Sequence, residues 1–178
     1  MTLNIKSTLF TLNGLVMLKD TILILDKDFH TQWTLKTLLE SEKYVALAVD
    51  TIDRALQNFK EFEVSALITE YQIDHTSTPE VIREIKKSFP ELYVMMLTHK
   101  NIGEKEYKKI MSLGIDDFFL KPVSIEKILI HLKKGLKQRK IFLQKRRLEK
   151  ELSQVKANKL SERLLYSPPH SSPSRGEV

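Results

Sequence analysis

From residue 21 onward, two hydrophobic periods take turns along the chain. TILIL (21–25), YVALAV (44–49), VSALIT (64–69), LYVMML (92–97) and DFFL (117–120) are apolar at successive positions, as strands covered on both faces are. Between them the apolar residues recur at helical spacing. Trp33, Leu35, Leu38 and Leu39 mark the first helix; Ile52, Ala55, Leu56 and Phe59 the second; Val81, Ile82, Ile85 and Phe89 the third; and EKEYKKIMSL (104–113) is the fourth. Asp50 or Thr51 is placed to cap the second helix. Thr78-Pro79-Glu80 reads as an N-cap, a first-turn proline and an acid opening the third, which ends before Pro90. Gly114 closes the fourth.

Five strand-helix units with doubly covered strands predict an α/β fold, a doubly wound five-stranded parallel sheet over residues 20–137, because parallel strands need crossovers and the crossovers cover the faces. A fifth helix starts after Pro122 with Ile125, Ile128, Leu129, Leu132 and Leu136 on its sheet side. It then runs on to about Leu165 as a long C-terminal helical extension, residues 138–165. Gly135, its only weak point, is expected to mark the domain edge and to permit a bend. Leu148, Leu152 and Val155 are spaced as a short coiled-coil seam between Lys145 and Lys159. Residues 166–178, YSPPHSSPSRGEV, lack the apolar content to build a core and are expected to be disordered. Residues 1–19 read as a partly apolar arm, in which Asn13 and Gly14 interrupt LFTLNGLVML.

Charge sharpens this division. Nine Lys and Arg against Glu149 alone give the segment 133–150 a net +8, so the rest of the +6 chain sums to −2. KKGLKQRKIFLQKRR (133–147) is compatible with a solvated helix face, a docking surface for an acidic protein or a phosphate contact. Phe142 is its only aromatic, which places protein docking or helix pairing, including a homodimer, first and non-specific nucleic-acid binding second. Without cysteine there is neither a disulfide framework nor a thiolate site, and no segment is apolar over enough length to span a bilayer, so a cytoplasmic protein is expected.

In doubly wound sheets ligands sit beyond the carboxyl ends of the strands. Those ends read LILDKD (23–28), LITEYQ (67–72), MMLTHK (95–100) and FFLKP (118–122). Acids after the first and third strands, a hydroxyl after the fourth and a Lys-Pro pair after the fifth resemble the receiver domain of bacterial two-component response regulators, a flavodoxin-like fold. The resemblance implies that Asp26 matches the first metal-binding acid, Asp28 a further acid, Glu70 the phosphoacceptor, Thr98 and Lys121 the phosphoryl-binding pair and Phe118 the switch aromatic. Taken without it, Thr98 reads as a strand-end hydroxyl satisfying a backbone group. A flavodoxin-type cofactor is set aside, since no Ser/Thr/Gly-rich phosphate loop follows the first strand.

Three departures from the family pattern carry expectations. Glu70 stands where the family has aspartate, which moves the carboxylate one methylene further out, so the chain is expected not to be phosphorylated. Its charge is expected to point towards Thr98 and Lys121, either imitating the phosphorylated state or as a vestige. Lys27 replaces the family's second metal-binding acid, so no cofactor is expected and Mg²⁺ binding should be weak or absent; Lys27 is expected either to pair with Asp26 and Glu70 as the local cation or to point to solvent. His99 stands where family members place a small residue, and Asp74 replaces a loop proline, so the loop after Glu70 is expected to be reshaped. The expected function is that of a non-enzymatic, atypical receiver acting in signal transduction through a protein partner. The alternatives are a receiver still phosphorylated by a histidine kinase, at Asp26 or Asp28, and a nucleic-acid binder using its basic helix.

Overall fold

The computed structural model describes residues 9–12 and 15–165, with side chains described from Lys19 to Glu162. The expected tail, 166–178, and the first eight residues lie outside the described residues. Two short strands, β1 (Leu9–Leu12) and β2 (Leu15–Leu18), pair antiparallel with Leu12 opposite Leu15. Asn13 and Gly14, expected to interrupt the arm, lie outside the described residues.

The main sheet follows as β3 (Thr21–Leu25), β4 (Val45–Val49) and β5 (Val64–Thr69), then β8 (Tyr93–Thr98) and β9 (Asp117–Leu120). Its order is β4-β3-β5-β8-β9, and every pair in it is parallel. The helices α1 (Phe29–Ser41), α2 (Ile52–Glu61), α3 (Thr78–Ser88), α4 (Glu104–Ser112) and α5 (Ile125–Leu165) make the crossovers and the C-terminal element. A small hairpin, β6 (Gln72–Ile73) with β7 (Thr76–Ser77), fills the loop before α3 and turns through Asp74 at φ 53°. This left-handed conformation is one that Asp tolerates better than most residues.

Alternate residues of the strands feed two cores. Ile22, Ile24, Ala66, Ile68 and Met95 meet Leu35 and Leu39 of α1 and Ile128, Leu132 and Leu136 of α5 on one face. Leu23, Leu67, Val94 and Met96 meet Phe59 of α2, Ile82 and Ile85 of α3 and Ile110 of α4 on the other. Each fully buried Leu or Ile contributes about 1.5–3 kcal/mol, so the sheet is pinned from both sides and its carboxyl edge is a rigid platform.

The ends of the helices explain their registers. Asp28 caps α1 by accepting from His30 N, Thr31 N and Thr31 Oγ1, so α1 begins four residues before Trp33. Trp33, expected on the buried face, is 61% exposed, because two positions along a helix it lies on the far side from buried Leu35. Thr51 caps α2 through Arg54 N, while Asp50 pairs with the Arg54 guanidinium instead. Ser77, not Thr78, is the N-cap of α3; Thr78 is buried and its hydroxyl contacts Glu70 O and Tyr71 O, at 2.6 and 3.0 Å. Gly114 adopts φ 100°, and a Cβ there would stand 2.9 Å from the Lys86 side chain, which is itself fixed by Asp116.

Gly135 lies within a helix that continues through it. A Cβ at Gly135 would stand 2.3 Å from the buried Tyr93 ring: the glycine lets α5 lie directly on β8. The helix is then tied to the amino edge of the sheet by Arg139 to Glu63 (3.1 Å) and Lys140 to Asp20 (2.9 Å). Two compact units result, residues 1–140 and 141–178; the described part of the second is the remainder of α5.

Candidate functional site

Asp26 closes β3 and is 5% exposed. Its backbone N–H donates to Val49 O, its carbonyl accepts from the Gln32 amide, and its Oδ1 accepts from Asp28 N at 2.9 Å. Glu70 follows β5, the neighbour of β3, with its N–H on Leu25 O. Its Oε1 accepts from Tyr71 N at 2.8 Å, which curls the side chain back over its own loop. Lys121 follows β9 and donates its backbone N–H to Thr98 O. Its ammonium then spans the carboxyl edge of the sheet, bonding Asp26 Oδ2 at 2.7 Å and Glu70 Oε2 at 2.9 Å.

This triad is largely dry, the Lys121 side chain being 10% exposed. Burial alone would lower the Lys121 pKa, but the hydrogen bonds to Asp26 and Glu70 and the charges of both acids outweigh it and hold it above its ordinary value. The ammonium is therefore charged across the physiological range. Two carboxylates and one ammonium leave the site one negative charge, shared across a clamp that ties the first, third and fifth strands of the parallel sheet.

The remaining expected site residues separate from the triad. Lys27 neither pairs with Asp26 and Glu70 nor stands alone: it bonds Asp74 at 2.7 Å at the surface, and the Asp74 hydrogen bond raises its pKa. The clamping cation is Lys121, because a strand-end neighbour of Asp26 points away from it. Asp28 is engaged in capping α1, and hydrogen bonds from Thr31 hold its carboxyl below the usual range. Thr98 is 1% exposed, and its hydroxyl accepts from Lys100 N at 3.1 Å, the backbone role that its position alone suggested. Phe118 is half-buried, edge-on to Tyr107 with ring centres 5.8 Å apart. His99 is exposed and lines a cavity of about 380 Å³ between α1 and α5, beside Lys121, Pro122, His30 and Leu35.

The donor set fits Mg²⁺ poorly. The ion needs oxygen ligands held close to octahedral, yet the two inward carboxylates are held by Lys121, Asp28 caps a helix, and the position after Asp26 carries a cation. Among the described residues no three His, Asp or Glu side chains are gathered where they could share a metal ion.

One cluster beside the site left no local signal in the sequence. Tyr71 Oη donates to Glu106 Oε1 of α4 at 2.6 Å, and Lys100 Nζ bonds the same oxygen at 3.0 Å while lying 4.1 Å from the Tyr71 ring centre. The Tyr71 hydrogen bond holds Glu106 below the usual carboxylate range. The loop carrying Glu70 is thus tied to the first turn of α4.

The sequence pattern of the response regulator receiver domain matches residues 22–133. The chain belongs to the response regulator receiver family. Solved receiver structures share its fold. A CheY-like receiver domain protein from Methanospirillum hungatei matches at 20% identity and TM-score 0.64, over 68% of this chain and 97% of its own. A receiver domain protein from Clostridium thermocellum matches at 25% and 0.62, over 69% and 98%. The non-phosphorylated HemR receiver domain from Leptospira biflexa matches at 24% and 0.61, over 66% and 94%. No curated protein matches the chain. As a receiver it is a signal-transduction module that works with protein partners, and receivers are generally without enzymatic output. Among the described residues no helix is long and apolar enough to cross a membrane.

Proposed function

We propose that this receiver signals without taking a phosphoryl group. Glu70 supplies a fixed negative charge at the phosphoacceptor position, and protein-protein contact, including self-association through the helical extension, is the output. The observation that carries this reading is the Lys121 ammonium bridging Asp26 and Glu70. The lysine that would take a phosphoryl oxygen already holds the Glu70 carboxylate there. In-line attack needs a free oxygen beside a bound metal, whereas both Glu70 oxygens are engaged and the metal ligands are occupied. Mg²⁺ is accordingly expected to bind weakly or not at all.

Phosphotransfer at Asp26 or Asp28 has less support, the first being buried under Lys121 and the second committed to the α1 cap. The basic segment favours protein over nucleic acid as its partner. At least four of its nine cations, Lys133, Arg139, Lys140 and Arg147, already pair with acids of this chain, leaving less charge for phosphates.

Light scattering of the full chain beside Glu70→Gln tests the proposal, since the amide removes the charge and keeps the shape. A dimer that falls towards monomer in the variant is the expected result. An identical assembly state in both proteins would mean that the charge at Glu70 does not govern the output.

A further inference from the structure

The described part of residues 141–178 has no covering layer: from Gln144 to Glu162 every side chain is exposed. Three of them are large and apolar on one stripe, Leu148 at 64%, Leu152 at 55% and Val155 at 62% exposure. The same three-four spacing continued along the helix reaches Lys145, Lys159 and Glu162. These polar seam positions decide what can cover the stripe.

In a parallel pair in register every seam residue meets itself. Lys145, Lys159 and Glu162 would each face a like charge, and the +8 segments 133–150 of the two copies would lie side by side. In an antiparallel pair centred between Leu152 and Val155 the same positions become complementary. Leu152 packs on the partner's Val155, Leu148 on the stem of the partner's Lys159, and Lys145 meets the partner's Glu162, each contact occurring twice by symmetry. Flanking the seam, Glu149 comes beside the partner's Lys156, also twice. A shift by one heptad would set Glu149 beside its own copy and leave Glu162 opposite Gln138. The internal partner of Lys145, Glu149, is 3.9 Å away, a loose contact that leaves the ammonium able to turn.

We infer that the stripe Leu148-Leu152-Val155 is the face on which a second copy of this chain docks antiparallel, with Lys145 paired to the partner's Glu162. The inference rests on the reading of the extension as a self-association helix and adds its orientation and register.

The chain has no cysteine, so introduced thiols report without background. Leu148→Cys and Lys159→Cys full-length variants, distinguishable by a tag, are oxidised alone and as a mixture, with light scattering on the unoxidised proteins. Two copies of residue 148 would lie eleven positions apart along an antiparallel pair, about 16 Å, and cannot bridge. The expected result is a mixed disulfide in the mixture and no self-linked product from either variant. Self-linking of Leu148→Cys would overturn the antiparallel orientation while leaving self-association intact. A dimer by light scattering that gives no disulfide at all would overturn this face as the contact. A monomer throughout would overturn self-association itself, and the inference with it.

Discussion

Replacing Lys121 by Met probes the clamp most sharply. Asp26 Oδ2 and Glu70 Oε2 lie 2.7 and 2.9 Å from the same nitrogen, so they are no more than 5.6 Å apart. Without the ammonium, two carboxylates about 5 Å apart repel by about 3 kcal/mol at an effective dielectric constant near 20. Both are too well covered for solvent to screen them, at 8% and 17% exposure. Lys121→Met should therefore lose about 3 kcal/mol, roughly 10 °C in melting temperature. Glu70→Gln alone exchanges a charge-assisted hydrogen bond for a neutral one and should lose about 1 kcal/mol. In the double variant no like-charge pair remains, so the loss should be about 2 kcal/mol, not the additive 4. Urea unfolding of the four proteins closes the cycle. Additivity within about 0.5 kcal/mol would refute a clamp in which Lys121 neutralises two facing carboxylates.

Other consequences follow from the packing. Gly135→Ala should destabilise by about 1–3 kcal/mol despite gaining about 1 in helix propensity, because its methyl would enter the Tyr93 ring; a more stable variant by thermal melting would contradict the close approach of α5. Lys121 and Tyr93 both have raised pKa values, the first through its acid partners winning over burial, the second through burial and the Asp117 hydrogen bond. The stability they contribute is complete below about pH 10 and falls as pH rises above it. Tyr93→Phe should flatten the decline in urea midpoint between pH 9 and 11, and an unchanged decline would remove Tyr93 from it. Tyr71→Phe should lose about 1 kcal/mol and speed amide exchange in the first turn of α4 about fivefold; exchange at the wild-type rate would show that the Tyr71–Glu106 bond does not hold that turn.

What the sequence made legible is what short-range physics determines. Runs such as TILIL and VSALIT are apolar on both faces because helices cover both, and this alone places Asp26, Glu70, Thr98 and Lys121 on one edge of the sheet. What it left hidden depends on direction and distance. Lys27 follows Asp26 in sequence but turns to Asp74, while the cation that reaches Asp26 comes from 95 positions away. Trp33 has the chemistry of a core residue but the wrong angle around α1. Gly135 looks like a weak point until Tyr93, on a strand far earlier in the chain, is seen beneath it. Tyr71 and Glu106 carry no shared pattern at all, because only the fold brings them together.

The central claim is that Glu70, held by Lys121, takes the place of a phosphorylated residue and does not become one. Intact-mass measurement of the full chain after incubation with a small acyl phosphate and Mg²⁺ tests it most directly. The account predicts an unchanged mass under conditions that phosphorylate an aspartate-bearing receiver run in parallel. A phosphoryl adduct that maps to Glu70, or to Asp26 or Asp28, would contradict it.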